Sequence, residues 1–264
     1  MSTMSPPIGV GHLLRDWRQR RRLSQLDLSN EAAVSARHLS FVETGRSKPS
    51  RELVLHLAEH LDVPLRERNA LLMAAGYAPV YRERSLEDAE MDPVRGALDM
   101  ILAGHEPYPA VIVDRLWNLV AANTAALSLF ATGVAPQLLE PPVNVIRLGV
   151  HPDGLAPRTR NLAEFSEHLL LRLQRQLAVL PDAELQALYD EVLTYPGVTS
   201  HSPVVADPAT LLFVPMQLAA DDGRELSMFS TLATFGTALD ITLAELSIES
   251  FFPADAATEA YFKS

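Results

Sequence analysis

Residues able to do bond-making chemistry are sparse in this 264-residue chain. It contains no Gly-x-Ser-x-Gly elbow, no His-Glu-x-x-His pair and no phosphate loop ending in Gly-Lys-Ser/Thr. The absence of cysteine removes thiol nucleophiles, cysteine-held zinc and disulfides. Gly9-Val10-Gly11 lacks the third glycine and the preceding strand of a dinucleotide fingerprint. His151 and Asp153 stand two apart in a proline-rich stretch, which reads as a surface loop far more readily than as a metal pair. His168, within an apolar helical pattern, reads as a core histidine. No catalytic residue, metal ligand or cofactor emerges, and the chain reads as a non-enzyme.

The spacing that does carry chemistry is basic. Arg18, Arg20, Arg21 and Arg22 cluster, Gln25 follows, and Arg46 and Lys48 lie a little further on. Such groups suit phosphates. The net charge of −11 seems wrong for a polyanion partner until the chain is divided. Through residue 84 there are 13 Lys+Arg against 9 Asp+Glu, a net +4. The remainder holds 9 against 24, a net −15. A basic head on an acidic body follows, and the local field is what a polyanion meets.

The head must hold these residues on short helices. Leu13, Leu14 and Trp17 recur at helical spacing before the basic run. Ser24 and Ser35 are N-cap residues for a second and a third helix joined at Ala33-Val34. Gly45 ends the third helix. Leu53, Leu57 and Leu61 mark a fourth helix, and Leu65, Leu71 and Leu72 a fifth before Gly76. The body mixes periods. Helices are expected from Val94, Leu98 and Leu102, after Asn123, and over two amphipathic stretches beginning near Leu162 and Leu185. Strands are expected at 111–113 and 116–121, at 211–219 and 225–234 around Asp221-Asp222-Gly223-Arg224, and at 241–252. The expected fold class is α+β in two domains: 1–82, a linker at 83–92, and 93–264. At 48% apolar and 21% charged, the composition is globular, not disordered. No apolar run approaches a membrane span, and Leu211 to Met216 is broken by Pro215. Residues 1–10 show no secretory signal, so a cytoplasmic location is expected.

The run Leu23-Ser24-Gln25-Leu26-Asp27-Leu28, the turn at Ala33-Val34, and Ser35-Ala36-Arg37-His38-Leu39-Ser40-Phe41-Val42-Glu43-Thr44-Gly45 resemble the XRE (Cro/repressor-type) helix-turn-helix family. The resemblance covers about residues 9–78. It implies a five-helix DNA-binding domain whose third helix enters the major groove. With Leu39 and Val42 inward, Ser35, Ala36, Arg37 and Phe41 are the candidate base readers; Phe41 serves equally well as core. A bidentate arginine on guanine is worth ~1–3 kcal/mol of discrimination. Gln25, His38, Arg46 and Lys48 are the candidate phosphate contacts, which position without reading sequence. Arg18 and Glu43 match the ion pair that ties the first helix to the third in this family.

In the body, Val113-Asp114-Arg115-Leu116-Trp117-Asn118-Leu119-Val120-Ala121-Ala122-Asn123, His151-Pro152-Asp153-Gly154-Leu155 and Phe251-Phe252-Pro253-Ala254-Asp255 are similar to regulators with an MmyB-like ligand-binding domain. That resemblance implies a PAS-like antiparallel sheet with flanking helices and an apolar, fatty-acid-like effector. Trp117, Phe130, Phe165, Phe213, Met216, Met228 and Phe229 are the candidate apolar contacts, although plain core packing accounts for most such residues. Arg147, which follows the apolar Val143, Val145 and Ile146 and is expected to close a strand, is the candidate for a ligand carboxylate, with Arg115, Arg158 and Arg160 as rivals. The expected partners are double-stranded DNA bearing a palindromic operator, a small apolar ligand and a second copy of the chain, with no membrane. Two other readings stay open: a body that only dimerises or binds a protein partner, and an enzyme whose product controls its own head.

Overall fold

The computed structural model describes residues 9–200 and 214–264. Phe213 and the start of the 211–219 strand expected from the sequence lie outside the described residues. The chain divides into two compact units. One runs to Arg84 and takes in Thr237–Ala244; the other comprises Ser85–Gly236 and Glu245–Ser264.

The first unit contains α1 (Val10–Arg20), α2 (Gln25–Glu31), α3 (Ala36–Glu43), α4 (Arg51–His60) and α5 (Leu65–Ala74). Their boundaries follow local chemistry. Ser24 and Asp27 form a reciprocal capping box at the start of α2, Ser35 Oγ accepts the His38 amide, and Ser50 Oγ accepts the Leu53 amide. Ala33 sits at φ +50° between α2 and α3, a conformation that strains any residue with a Cβ. The core is aliphatic, with Leu14, Leu28, Leu39, Leu57, Leu61, Leu71 and Leu72 fully buried.

Gly11 has a packing role. A Cβ there would lie 2.2 Å from the Val42 carbonyl oxygen and 2.8 Å from that of Glu43, so only a glycine lets α1 approach the end of α3.

The second unit contains α6 (Asp92–Gly104), β1 (Ala110–Val113), β2 (Leu119–Ala122), α7 (Thr124–Phe130), α8 (Val145–Val150), α9 (Leu162–Val179), α10 (Ala183–Val192), β3 (Met216–Ala219) and β4 (Glu225–Thr234). Next comes α11 (Ile241–Ala244), which belongs to the first unit, and then β5 (Ser247–Pro253) and α12 (Ala256–Phe262). The five strands form one antiparallel sheet in the order β2-β1-β5-β4-β3. The α+β layout of the sequence reading holds, with helices first and a helix-flanked antiparallel sheet after them.

Three expectations are corrected. Ile241–Ala244 is helical instead of opening a long strand, because Asp240 Oδ1 accepts the Thr242 amide and starts a turn. Within the first unit this helix is tied down by the Ile241 amide on the Arg82 carbonyl and by Arg84 on Asp240 at 2.9 Å. Leu116 and Trp117 leave the strand pattern: Asp114 Oδ1 accepts the amides of Leu116 and Asn118, and Trp117 turns at φ +66°. Arg147 lies in a helix, not at a strand end, since Asn144 caps α8 by accepting the Arg147 amide.

The sheet's two faces divide the aromatic residues. Phe229 pairs with Phe252 across β4 and β5 and stacks on it, with centroids 5.4 Å apart. Phe251, one residue earlier, points to the opposite face and meets Phe130 edge to face at 5.1 Å. This is the period-two alternation of a strand. On the Phe251 face, Val111, Val113, Ile146, Leu169, Leu173 and Leu188 form a continuous core.

Candidate functional site

In the first unit, α2 and α3 stand at the turn through Ala33, and the amino end of α3 is the most open part of the pair. Ser35, Ala36, Arg37 and His38 are all exposed, whereas Leu39 and Val42 are buried. Phe41 is half-buried, and the Arg37 guanidinium lies over its ring at 5.4 Å. Arg46 and Lys48 are exposed just past α3, with the Lys48 ammonium 5.1 Å from the Tyr77 ring. The eight candidate contact residues thus come from one helix-turn-helix pair and the loop that follows it.

Behind them, Arg18 binds Glu43 twice, Nε to Oε1 at 2.6 Å and Nη2 to Oε2 at 2.8 Å, and donates through Nη1 to the Leu23 carbonyl. The Glu43 side chain is 1% exposed. The hydrogen bond to Glu43 raises the guanidinium's pKa above its ordinary value. Gln25 Nε2 also donates to Glu43 Oε2, at 2.8 Å, so this candidate phosphate contact starts from a fixed position. Arg21 donates to the carbonyls of Leu61 and Asp62, closing the end of α4.

The second unit holds a cavity of ≈ 370 Å³ against the Phe251 face of the sheet. Val111 and Ala122 come from the strands, Leu127 and Phe130 from α7, Ile146 and Gly149 from α8, Phe165 and Leu169 from α9, and Met216 from β3. Among the described residues that line it, Glu249 of β5 has the one polar side chain. Glu249 Oε1 accepts from Ser230 Oγ at 2.7 Å and from Arg172 Nη1 at 3.0 Å. Arg172 also lies over the Trp117 ring at 5.1 Å and within 3.5 Å of His168 Nε2. Burial, aided by the Arg172 charge, lowers the pKa of His168.

Of the apolar candidates, Phe130, Phe165 and Met216 line the cavity. Trp117 is buried with its Nε1–H donated to Gln176 Oε1. Met228 is buried beside Leu218 and Leu226, and Phe229 sits on the far face against Phe252. Arg147 is engaged elsewhere: Nε and Nη2 each donate to Glu191 at 2.7 Å, and Tyr195 OH shares that carboxylate. This pair lowers the pKa of Glu191; burial foremost, then the Glu191 contact, pushes Tyr195 up to about 12. Arg115 pairs with Asp182 and Arg160 with Glu225, and Arg158 donates to three carbonyls.

His151 Nδ1 accepts the Asp153 amide, and no cluster of metal-ligating residues occurs among the described residues. A more open depression of ≈ 470 Å³ near Glu106 and Arg224 is occupied by satisfied groups: Glu106 caps α7 and Arg224 pairs with Asp222. No helix among the described residues is long and apolar enough to cross a membrane.

An exposed helix-turn-helix edge in one unit and an apolar cavity in the other define a DNA-binding regulator that carries a ligand-binding domain. Residues 94–264 match the MmyB-like transcription regulator ligand binding domain, and residues 10–71 match a helix-turn-helix domain. The chain belongs to the MmyB-like transcription regulators, with an XRE-type helix-turn-helix head. Among solved structures it is similar to a SinR protein/SinI protein complex, at 20% identity over 37% of this chain and 84% of that one, with a TM-score of 0.23. It is also similar to an RNA-binding light-oxygen-voltage receptor, at 12% identity over 95% of this chain and 59% of that one, with a TM-score of 0.28. No curated protein matches it.

Proposed function

We propose that this regulator is a cytoplasmic homodimer that binds a palindromic operator and changes its affinity when a small apolar, fatty-acid-like ligand enters the cavity of the second unit. In this reading residues 1–82 bind DNA, 83–92 link, and 93–264 sense and dimerise. Ser35, Ala36, Arg37 and Phe41 read bases, while Gln25, His38, Arg46 and Lys48 hold phosphates. The observation that carries the reading is the cavity itself: ≈ 370 Å³ with almost wholly apolar walls, in the size range of small-molecule sites. Two copies are needed because one head spans only a few base pairs, and paired heads fit half-sites about one DNA turn apart. The −15 remainder of the chain disfavours DNA contact away from the heads.

The test begins with native mass spectrometry of freshly purified protein, followed by denaturing extraction. A dimer carrying a lipid-like small molecule supports the reading. An operator selected from random DNA is then titrated with and without added fatty-acid-like compounds, using the wild type and Gly149→Leu. Gly149 lines the cavity, and a Cβ there would meet Phe165 and Leu169 at 3.7 and 3.9 Å, so leucine enters the ligand space without a backbone clash. The expected result is an operator affinity that responds to ligand in the wild type and not in the variant. No response in the wild type leaves a body that only dimerises.

A further inference from the structure

One stretch of the segment that matches the ligand-binding domain packs with the head instead: residues 237–244 fall within the 94–264 match yet belong to the first unit. β4 and β5 are paired from Met228↔Pro253 to Thr234↔Ser247, and the chain that joins them contributes α11 to the head. Each crossing is short. Phe235 and Gly236 lead out of β4, and Glu245 and Leu246 lead from α11 into β5. Both ends are fastened. Within the first unit Ile241 is buried, its amide donates to the Arg82 carbonyl, Arg84 pairs with Asp240 at 2.9 Å, and Thr242 Oγ1 donates to the Arg84 carbonyl. The stretch before Arg82 is held in turn to α5, where Asn69 Oδ1 accepts the Val80 and Tyr81 amides and Nδ2 donates to the Tyr81 carbonyl. Within the second unit Leu246 is buried and Glu245 lies 3.7 Å from Arg115. β5 also walls the cavity through Glu249 and Phe251, and from Phe251 to the end of the ladder at Ser247 is ~13 Å at the rise of a strand. The ladder and the Ser230–Glu249 bond make β4 and β5 shift together. Packed elements joined in this way pass a displacement on as a body, because close-packed interiors do not stretch.

We propose that residues 237–244 are the coupling element of this regulator: a ligand that displaces the β5 wall of the cavity moves α11, and α11 moves the α5 side of the head to which it is tied. This inference rests on the ligand-gated reading above and names the route by which binding reaches the head. The remaining crossing, at Arg84–Ser85, is the poorer route. It leads to α6, and none of the described residues of α6 lines the cavity. β5 has both properties that coupling requires, a surface against the ligand and a covalent continuation into the first unit.

The test keeps every contact of α11 and removes the stiffness of its crossings. Gly-Ser-Gly-Ser is inserted after Gly236 and again after Ala244 of the full chain, since such sequences behave as flexible coil. Octanoate, decanoate and dodecanoate are the probes, and the one with the largest effect on operator binding by the wild type is used throughout. In the wild type it should change operator affinity at least about fivefold, the lower end of allosteric couplings. In the insertion variant the change should fall below about twofold. Operator affinity without the probe, and probe affinity by calorimetry, should each stay within about threefold of wild type. Asp240→Ala takes the carboxylate from Arg84 and the cap from the Thr242 amide. It should reduce the response in the same way, and it serves if the insertion variant does not fold. An insertion variant that responds as the wild type does would overturn the proposal and leave the ligand-gated reading standing. One that has lost its probe affinity would also overturn it, because the lesion would then lie in the cavity. A wild type whose operator affinity none of the probes changes would overturn both.

Discussion

The Arg18–Glu43 pair offers the sharpest quantitative test of how the head is held. Arg18→Met removes both bonds to Glu43 and the one to the Leu23 carbonyl, leaving a carboxylate that is 1% exposed with Gln25 as its remaining side-chain donor. Stranding a buried charge in this way costs ~3–5 kcal/mol. That is a large part of the ~5–15 kcal/mol that holds a domain together. At ~4–8 °C per kcal/mol for a unit of this size, the melting transition of the first unit should fall by ~12 °C or more. The double variant Arg18→Met/Glu43→Leu removes both charges and should recover most of the loss, since a buried pair replaced by apolar side chains is often neutral. Thermal unfolding of the full chain, followed by circular dichroism and calorimetry, reads both effects. A single variant that loses less than ~1 kcal/mol, or a double variant no better than the single, would show that the buried pair is not what joins α1 to α3.

Three further outcomes are expected. Arg37→Ala should relax preference at one operator position, while Lys48→Ala should weaken binding evenly across sequences and reduce the salt slope by ~1; identical behaviour of the two on specific and random DNA would refute their assignment as reader and holder. Gly11→Ala should cost ~1–3 kcal/mol or more, because the new methyl group would meet two backbone carbonyl oxygens at 2.2 and 2.8 Å; a melting temperature equal to wild type would show that α1 shifts freely. Glu191→Gln should lower stability by ~1 kcal/mol or less, a modest effect because the Arg147 contact is partly open to solvent. Since Arg147 lowers the folded-state pKa of Glu191, that contribution is present above the unfolded carboxyl's ~4.3 and is lost as pH falls through the folded value. A wild-type to variant difference that persists below pH ~3 would contradict it.

Much of the fold was legible because local chemistry agreed with the long-range outcome. Ser24 and Ser35 announce the helices they cap, and Gly45 and Gly76 take positive φ just past the ends of α3 and α5. Asp221 to Arg224 makes the turn between β3 and β4, with Gly223 at φ +83°. The readings fail where one polar side chain outweighs an apolar pattern. Asn144 starts α8 inside a proline-rich passage, Asp240 bends Ile241–Ala244 out of a strand, and Asp114 folds Leu116 and Trp117 into a turn. The same effect hid part of the cavity. A strand expected over 241–252 gives no clear register, so Glu249 and Phe251 could not be assigned a face. Ile248, Glu249, Ser250 and Phe251 run apolar, polar, polar, apolar, so no alternation within this part of β5 marks the face that Glu249 and Phe251 share. Arg147 could not be assigned either, because Glu191, its partner, lies 44 residues away on another helix.

The return of Thr237–Ala244 to the first unit has a consequence for how this protein can be taken apart. A gene fragment ending at residue 84 would lack the residues that give Arg82 an amide to accept and Arg84 its Asp240 carboxylate and Thr242 hydroxyl. The DNA-binding unit is thus discontinuous in the gene, though its helix-turn-helix is not. Exchanging sensors between such regulators at a single junction would deliver a head with a missing piece, whereas a graft that also carries residues 237–244 would move it whole.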